Sequence, residues 1–473
     1  MIFQPKYKMQ IMTIFIAIEI PALKGKNNSH KFFVENRFFE KNGKIKEKFF
    51  RRGACMSREQ ERIQRKLENN PVVECNKVRD RYCPGLFRGF ADTKDPRNQS
   101  YTEYSNDELL GTVFYKGIAG IESMQSMTYE FNQERVVKNL FRFMGRKQKE
   151  YLPHAVTINE YFERLEPDEL QKVQQEQVYG LIRSKAFYDA RFQKKWLVIV
   201  DGTQTYAGSR KLNDCCLERH FNKGTDEETV NYHCDVLEAK IVFGEKLIVS
   251  MASEFIENNG EDAWNQENIS EEERKQDCEI KAFKRLAGKI KKAFPRLPII
   301  LLADSLYASE PVMDTCRDNG WEYLIRYKTG SIPGITEEYE KIPEKETSGH
   351  AEFINGIDYN GKPVNMLRFW EEKIIKGKSV RTDFQWLTSI RITKTNAEKM
   401  SGAGRKRWKI ENEGFNRQKN WQGDITHACS WNANAMKCHY LMIQISDMVK
   451  QLYEWFFLNK KERDKKETKK YIF

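Results

Sequence analysis

The chain has 473 residues, which is enough for two or three domains that each bury a core. It carries 80 Lys and Arg against 68 Asp and Glu, and the net charge of +12 favours a polyanionic partner without choosing among DNA, RNA and an anionic membrane. Its 40% hydrophobic and 12% aromatic content argues against a disordered chain, and its 10 cysteines, without regular paired spacing, argue against a disulfide framework. We therefore expect a folded protein of a reducing compartment, the cytoplasm.

Residues 1–86 are predicted to form a basic leader or N-terminal arm that is partly disordered. Within them, residues 30–52 interleave lysines and arginines with phenylalanines, which suits a segment that follows a DNA backbone but is more often a solvated surface run. The apolar stretch 11–20 is interrupted by Glu19 and is too short to span a bilayer. Met56 opens a helix-like sequence, so we expect the fold to begin after it.

Residues 87–190 are predicted to form a helical N-terminal domain. Asp95-Pro96-Arg97 marks a turn at its start. Between Leu109 and Ile121 the apolar residues then recur at helical spacing, which is the pattern of a helix with one buried face.

Residues 191–330 are predicted to form the first part of an α/β core. The apolar run 196–200, which ends at Asp201, has the pattern of a strand buried on both faces, and two β-rich runs follow at 236–243 and 247–255. Next come a helix from Asp277, a second apolar run at 299–303 that ends at Asp304, a helix and a strand. This order is that of the RNase H-like fold, a mixed sheet flanked by helices.

The remainder of the chain divides into three predicted segments. Residues 331–395 contain short β-like pieces separated by turns, including Gly377, and are predicted to form an inserted β-subdomain. Residues 396–458 return to helical periodicity and are predicted to supply the C-terminal helices of the core. Residues 459–473 form a basic tail.

Two aspartates stand immediately after apolar strands, where side chains face the crevice that ligands occupy in open sheets. Mg²⁺ prefers hard oxygen ligands and keeps several waters, so one or two carboxylates per ion suffice and substrate phosphates complete the shell. Asp201 and Asp304 are therefore candidate metal ligands, although a single Asp after an apolar run is usually a turn former. Two-metal phosphodiester chemistry requires a third carboxylate.

Glu411 is the candidate for the third carboxylate. Arg407, Glu411 and Phe415 are spaced four residues apart and would share one face of a helix, so that the arginine could hold a phosphate or orient the glutamate. An ordinary ion pair on a solvated helix is the alternative for an isolated pair of this kind. Glu413 is a competing ligand, but it would face another side of the helix.

These three blocks resemble the catalytic blocks of bacterial DDE insertion-sequence transposases. The segments that carry the resemblance are 200–204, 302–308 and 407–411, with further similarity at 95–110, 275–286 and 427–440. The resemblance implies that Asp201, Asp304 and Glu411 are catalytic metal ligands for two Mg²⁺ or Mn²⁺ ions, with the β insertion between the second and third. It also implies a cytoplasmic, nucleoid-associated bacterial enzyme that binds double-stranded DNA, namely the inverted-repeat ends of its element and target DNA, as a homodimer in the synaptic complex.

The third block departs from the Tyr-Arg-Glu-Lys pattern of the best-known subgroup of these enzymes. Arginine and glutamate match, but Gly404 stands at the tyrosine position and Gln418 at the lysine position. Arg417 and Lys419, the basic residues on either side of Gln418, are candidate DNA contacts together with Arg407.

Tryptophans are candidates for stacking on a base, although burial is their commoner fate. Trp386 lies in an apolar run and is predicted to be core, whereas Trp370, beside Glu371, is the better DNA-binding candidate. A group of Cys and His residues between 215 and 234 lacks the spacing of a known zinc finger, so we expect scattered structural residues there.

The expected function is DNA transposition by metal-dependent hydrolysis and strand transfer. One alternative is an RNase H-like nuclease or resolvase without strand transfer. A second alternative is a non-catalytic DNA-binding protein derived from a transposase, which the acidic triad argues against.

Overall fold

The computed structural model describes residues 71–257, 278–375 and 378–458. The rest of the predicted arm, the start of the helix at Asp277, the turn at Gly377 and the basic tail lie outside the described residues. Seven α-helices form the N-terminal layer: α1 (Pro71–Tyr82), α2 (Leu86–Asp92), α3 (Asn106–Ala119), α4 (Met124–Phe131), α5 (Glu134–Met144), α6 (Ala155–Arg164) and α7 (Pro167–Arg183).

Helix α1 belongs to this helical layer, although its residues fall within the predicted arm. Its Arg79 donates a hydrogen bond of 2.6 Å from Nη1 to the hydroxyl of Tyr115, which is buried on α3. Val72 and Val78 pack into the same core as the helices that follow. Residues 71–86 are therefore part of the folded layer rather than an extended arm.

The ten strands form one mixed sheet. They are β1 (Trp196–Gly208), β2 (Leu217–Phe221), β3 (Thr229–Val242), β4 (Ile248–Ile256), β5 (Ile299–Ala303), β6 (Glu322–Arg326), β7 (Glu346–Ser348), β8 (Ala351–Tyr359), β9 (Lys362–Ile375) and β10 (Lys378–Thr388). Strands β4, β3 and β1 are antiparallel neighbours, and β5 and β6 then continue parallel to β1. This order and these directions are those of the RNase H-like fold and confirm the predicted mixed sheet.

The strands of the inserted segment extend this sheet instead of forming a sheet of their own. Strand β10 pairs antiparallel with β6, so the sheet continues through β9 and β8 to β7. The segment also contains a helix that the sequence pattern did not indicate, α10 (Pro333–Lys341), whose Ile335 is buried. The predicted β-rich insertion is present, but a separate β-subdomain is not the arrangement observed.

Both faces of the central strands are buried, which explains their continuous apolar runs. Trp196, Val198 and Val200 pack toward the core shared with the helical layer, whereas Leu197 and Ile199 pack toward a second core on the opposite face. Among the described residues, two helices lie between the parallel strands in sequence, α8 (Glu279–Ala293) and α9 (Glu310–Asp318). Alternation along β1 therefore places Asp201 on the face of the second core.

The C-terminal part of the chain covers that second core. Its segments are α11 (Ala397–Arg405), a 3₁₀ turn (Lys406–Trp408), a π-helix (Ile410–Phe415), α12 (Asn416–Asn420), α13 (Ala433–Tyr453) and a second π-helix (Glu454–Leu458). The sequence predicted a regular helix through Glu411, but the structure has a π-helix there, a form that is frequent at functional sites. In the described ranges, no helix is both long and apolar enough to cross a membrane.

Candidate active site

The two aspartates are neighbours because of the register between the central parallel strands. Ile199 of β1 pairs with Leu302 of β5, and each aspartate follows its paired residue by two positions. Both side chains therefore point to the same face of the sheet on adjacent parallel strands. Asp304 directly follows β5, as predicted, but Asp201 lies within β1, which continues to Gly208 instead of ending before the aspartate. Asp201 and Asp304 come together as the sequence predicted.

Each aspartate accepts a hydrogen bond from the backbone that follows it in the chain. The Oδ1 atom of Asp201 accepts a hydrogen bond of 3.1 Å from the amide of Gly202. Asp304 caps the 3₁₀ turn Ser305–Tyr307, and its Oδ1 accepts a hydrogen bond of 2.8 Å from the amide of Leu306. Asp304 therefore does form a turn, which was the alternative role considered for it. The hydrogen bond of this turn uses Oδ1 and does not involve Oδ2.

Arg407 joins the third acidic block to the first. Its Nη1 donates to Oδ2 of Asp201 at 3.1 Å, and its Nη2 donates to Oε1 of Glu411 at 3.1 Å. The Arg407 side chain is only 10% exposed, so this is not a pair on a solvated helix surface. One guanidinium thus bridges two carboxylates that lie more than 200 residues apart in the chain, which a planar fork of donors does better than a lysine ammonium.

Burial and neighbouring charges perturb the pKa of Asp201. Burial, together with the nearby carboxylates of Asp304, Glu411 and Glu279, raises this pKa to about 7, while Arg407 acts to lower it. Accumulated negative charge at a buried position is the electrostatic setting that a divalent cation relieves. A bound cation would therefore favour the ionised form of Asp201.

The residues supply oxygen donors of the kind that Mg²⁺ and Mn²⁺ prefer. Among the described residues, however, no three His, Cys, Asp or Glu side chains form a group that could hold a metal ion as they stand. The guanidinium of Arg407 takes part of the space, because it pairs with Asp201 and Glu411 at once. The donor set fits a divalent cation on condition that Arg407 releases one of these carboxylates.

Two of the predicted DNA contacts differ in their surroundings. Arg417 is paired with Asp447 at 2.8 Å and with Glu454 at 2.6 Å, which places its guanidinium inside an ion network between α12 and α13. Burial works against its charge, but the Glu454 and Asp447 carboxylates raise its pKa above the usual range. We therefore withdraw Arg417 as a DNA contact, whereas Lys419, two residues on, remains partly exposed.

The mismatches to the Tyr-Arg-Glu-Lys pattern have structural reasons. A Cβ atom at Gly404 would lie 2.5 Å from Nε1 of Trp386, so no tyrosine fits at that position. Gln418 is 1% exposed and donates from Nε2 to Gln444 and Asp447 at 2.8 and 2.9 Å. Both positions are part of the packing behind Glu411 and do not face a ligand.

Trp386 is buried, as predicted, and Trp370 is partly exposed on β9. The guanidinium of Arg381 lies 4.7 Å from the centre of the Trp370 ring, and the ring of His350 lies 5.9 Å from it. The adjacent Glu371 forms an ion pair with Arg405, two residues before Arg407. Trp370 therefore lies on the strand that contacts the Glu411 segment.

The Cys and His residues between 215 and 234 are distributed among different contacts. The sulfur atoms of Cys216 and Cys234 are 3.4 Å apart, whereas His233 pairs with Asp235 and His220 with Glu228. Strand β2, which carries Leu217 and His220, is mostly exposed and was not predicted from the sequence.

Sequence reasoning assigned no role to Glu279 or Tyr307, which the structure places beside the aspartates. Tyr307 donates a hydrogen bond of 2.7 Å to Oε2 of Glu279, the first residue of α8. Both residues lie in segments that carry the resemblance to transposases, at 275–286 and 302–308. The resemblance of these two segments was the only sequence feature that pointed to Glu279 and Tyr307. It did not indicate that their side chains contact each other.

One protein-family model matches the part of the chain that holds two of the three candidate metal ligands. Residues 275–445 match the family model described as a transposase DDE domain, a region that includes Asp304, Arg407 and Glu411 and covers less than half of the chain. Over these residues the chain is therefore similar to transposase DDE domains. Among solved structures it is similar to a piggyBac transposase synaptic complex with hairpin DNA, with 11% identity, a TM-score of 0.38 and coverage of 82% of this chain and 76% of that one. No curated protein matches it.

Proposed function

We propose that this protein is a transposase that binds the ends of an insertion sequence and catalyses metal-dependent phosphodiester hydrolysis and strand transfer. The matched family supports transposition as the general activity. The proposal adds the metal dependence, the two chemical steps and the residues responsible. It also takes the protein to be a bacterial cytoplasmic enzyme that works at the nucleoid, where its DNA substrates lie.

The observation that carries the proposal is the double pairing of Arg407 with Asp201 and Glu411. It brings the third acidic block to the two central strands on which Asp201 and Asp304 are neighbours. Three separate acidic motifs, each weak alone, thus converge at one place on the RNase H-like sheet.

Asp201, Asp304 and Glu411 would hold two Mg²⁺ or Mn²⁺ ions. Such ions activate the attacking water or 3′ hydroxyl and stabilise the leaving oxygen, so that no covalent protein intermediate is needed. Within the chain, Arg407 holds the first and third carboxylates in place before a cation binds. Once a carboxylate is released, the same guanidinium is free to take a DNA phosphate.

The DNA partner is double-stranded: the inverted-repeat ends of the element and the target. Lys419 would contact backbone phosphate, and Trp370 would stack on a base that has left the duplex. A homodimer is the expected synaptic assembly, because it can hold two equivalent ends with two equivalent sites.

The experiment is an end-joining assay with the full chain. A labelled duplex that carries the element end is incubated with supercoiled plasmid and Mg²⁺, with EDTA as the control. Transfer of label to the plasmid only in Mg²⁺ supports the proposal. Hydrolysis of the duplex without joining would instead identify a nuclease or resolvase, and binding without hydrolysis would identify a non-catalytic DNA-binding protein.

A further inference from the structure

Glu279 lies beside Tyr307, in the turn that follows Asp304, and beside Gly202, the residue that follows Asp201. It is the first residue of α8, and its side chain reaches the 3₁₀ turn after β5, where its Oε2 accepts a hydrogen bond of 2.7 Å from the hydroxyl of Tyr307. Tyr307 is fully buried and follows Asp304 by three residues. One end of the Glu279 carboxylate is thus fixed to the turn that Asp304 caps.

The other side of the Glu279 carboxylate packs against the residue that follows Asp201. A Cβ atom at Gly202 would lie 2.7 Å from Cδ of Glu279, so the carboxylate fills the space that any other side chain at Gly202 would need. Side chains alternate along a strand, so this space is on the opposite face of the sheet from Asp201. Glu279 therefore packs on the face of the sheet opposite the two aspartates, while Arg407 and Glu411 lie on the face of the aspartates.

A carboxylate at this position is electrostatically costly. Burial raises the pKa of Glu279, as do Asp304 and Asp235, although the hydrogen bond from Tyr307 acts to lower it. A partly buried acid close to two other acids adds repulsion that a neutral residue would avoid. Any benefit of Glu279 to the site must therefore come from the contacts that its side chain makes, not from its charge.

We propose that Glu279 is a positioning residue that sets the spacing of Asp201 and Asp304 by joining the Tyr307 hydroxyl to the backbone at Gly202. This inference rests on the proposed function, because the spacing matters only if the aspartates share cations. Metal ligands need supporting contacts that hold them to within about 0.5 Å, and loss of such contacts typically costs about 10- to 100-fold in metal affinity or activity.

The test is to measure Mn²⁺ binding to the full chain by calorimetry. The variants distinguish loss of the Glu279–Tyr307 hydrogen bond from loss of the negative charge of Glu279. Glu279→Ala removes the link and should weaken Mn²⁺ binding by about 10- to 100-fold. Tyr307→Phe removes only the hydroxyl and should weaken it in the same direction. Glu279→Gln keeps an oxygen that accepts from Tyr307 and should stay within about threefold of the wild type, since the proposed role needs the acceptor and not the charge.

Coupling between the two residues gives a second readout that a merely structural role would not reproduce. If both act through one contact, the double variant Glu279→Ala, Tyr307→Phe should bind Mn²⁺ no more weakly than Glu279→Ala alone. Thermal unfolding of each variant reports its folding separately, and Tyr307→Phe decides the matter if Glu279→Ala does not fold.

Three results would overturn the inference: wild-type Mn²⁺ affinity in the folded Glu279→Ala or Tyr307→Phe variant, additive losses in the double variant, or a loss in Glu279→Gln equal to that in Glu279→Ala. Asp201→Asn distinguishes this failure from failure of the proposed function. If Asp201→Asn loses Mn²⁺ binding while Glu279→Ala keeps it, only the positioning role is wrong. If Asp201→Asn binds Mn²⁺ as the wild type does, the metal site itself is wrong.

Discussion

Among the described residues, Arg407 is the one side chain that forms ion pairs with two of the three candidate metal ligands. It is largely buried, and each terminal nitrogen of its guanidinium serves a different carboxylate, on Asp201 and on Glu411. A lysine ammonium at the same position is a single charged point and cannot reproduce this fork. The arginine is therefore not interchangeable with another cation.

We expect Arg407→Lys to lower the rate of DNA cleavage by about 10- to 100-fold, because one of the two carboxylates loses its partner. The measurement is single-turnover cleavage of a duplex that carries the element end. Arg405→Lys is the matched control, since Arg405 pairs with Glu371 and with neither triad carboxylate. Equal rates for the two variants would contradict the bridging role.

The raised pKa of Asp201 predicts a pH dependence of stability in the metal-free protein. Between its ordinary value of 3.8 and its folded value of about 7, the folded state holds a proton that the unfolded state has lost. The contribution of this group to stability is therefore complete below pH 3.8 and is lost as the pH rises through about 7, a difference of at most about 4 kcal/mol. Asp201→Asn stays neutral and lacks this loss.

In EDTA, the melting temperature of Asp201→Asn should rise relative to that of the wild type between pH 5 and pH 8. Thermal unfolding of both proteins at the two pH values measures this difference. A gap between the two melting temperatures that does not change with pH would show that Asp201 titrates normally.

At the scale of single elements, helix α11 offers two glycines with opposite expected behaviour. A Cβ at Gly404 would meet the buried Trp386 indole, whereas at Gly402 no atom lies within 4 Å. Gly404→Ala should destabilise the fold by about 1 to 3 kcal/mol through overpacking. Gly402→Ala should stabilise it by about 0.5 to 1 kcal/mol, because alanine favours a helix.

Urea denaturation of the two glycine variants measures both effects in the same element. The outcome that contradicts the packing account is a Gly404→Ala protein as stable as Gly402→Ala. Such a result would also remove the reason given for the missing tyrosine of the Tyr-Arg-Glu-Lys pattern.

Helix α12 carries two basic residues that we expect to act differently. Arg417→Ala leaves the buried Asp447 and the partly buried Glu454 without their cation and should destabilise the protein by about 3 kcal/mol or more. Lys419→Ala should leave stability within about 0.5 kcal/mol and weaken DNA binding uniformly across sequences, with a salt slope smaller by about 1.

Thermal unfolding and DNA titration at several salt concentrations separate these two basic residues. If Arg417→Ala proved as stable as the wild type and lost the salt-dependent binding, Arg417 would have to be restored as a DNA contact. Wild-type DNA affinity in Lys419→Ala would exclude Lys419 from the DNA interface.

The π-helix at Ile410–Phe415 could not be predicted from the sequence, because its form depends on contacts distant in the chain. A Cβ at Gly414 would lie 3.1 Å from Cε of the buried Lys240, so the glycine lets β3 approach closely. Lys240 also donates a hydrogen bond of 2.7 Å to Gln444 on α13. Regular periodicity indicated a helix here and was right about its presence, but not about its geometry.

At the scale of the whole molecule, the order of the core strands followed from the sequence, because buried strands need apolar runs and turns separate them. The direction of each catalytic side chain did not follow from those runs. The stretch from Trp196 to Val200 is buried on both faces and shows no alternation from which the face of Asp201 could be deduced. The pairing of Ile199 with Leu302 determines that face and is visible only in the structure.

The extent of the sheet was also beyond prediction. Trp386 of β10 pairs with Arg326 of β6, a contact between segments that the sequence assigned to different domains. Strand β2 was missed because three of its five residues are exposed and it lacks an apolar run. Long-range pairing and surface strands thus account for the differences, whereas the three acidic blocks were recognisable from the apolar runs before the aspartates and from the resemblance to transposases.

The central claim is that Asp201, Asp304 and Glu411 act together as one catalytic site. The most direct test is Mg²⁺-dependent cleavage of a duplex that carries the element end by Asp201→Asn, Asp304→Asn and Glu411→Gln, with DNA binding measured in parallel and Glu413→Gln as the matched control. We predict that each triad variant binds DNA but cleaves it more than about a thousandfold more slowly, a loss of about 4 kcal/mol, while the control cleaves as the wild type does. Cleavage that survives in any of the three triad variants would contradict the account.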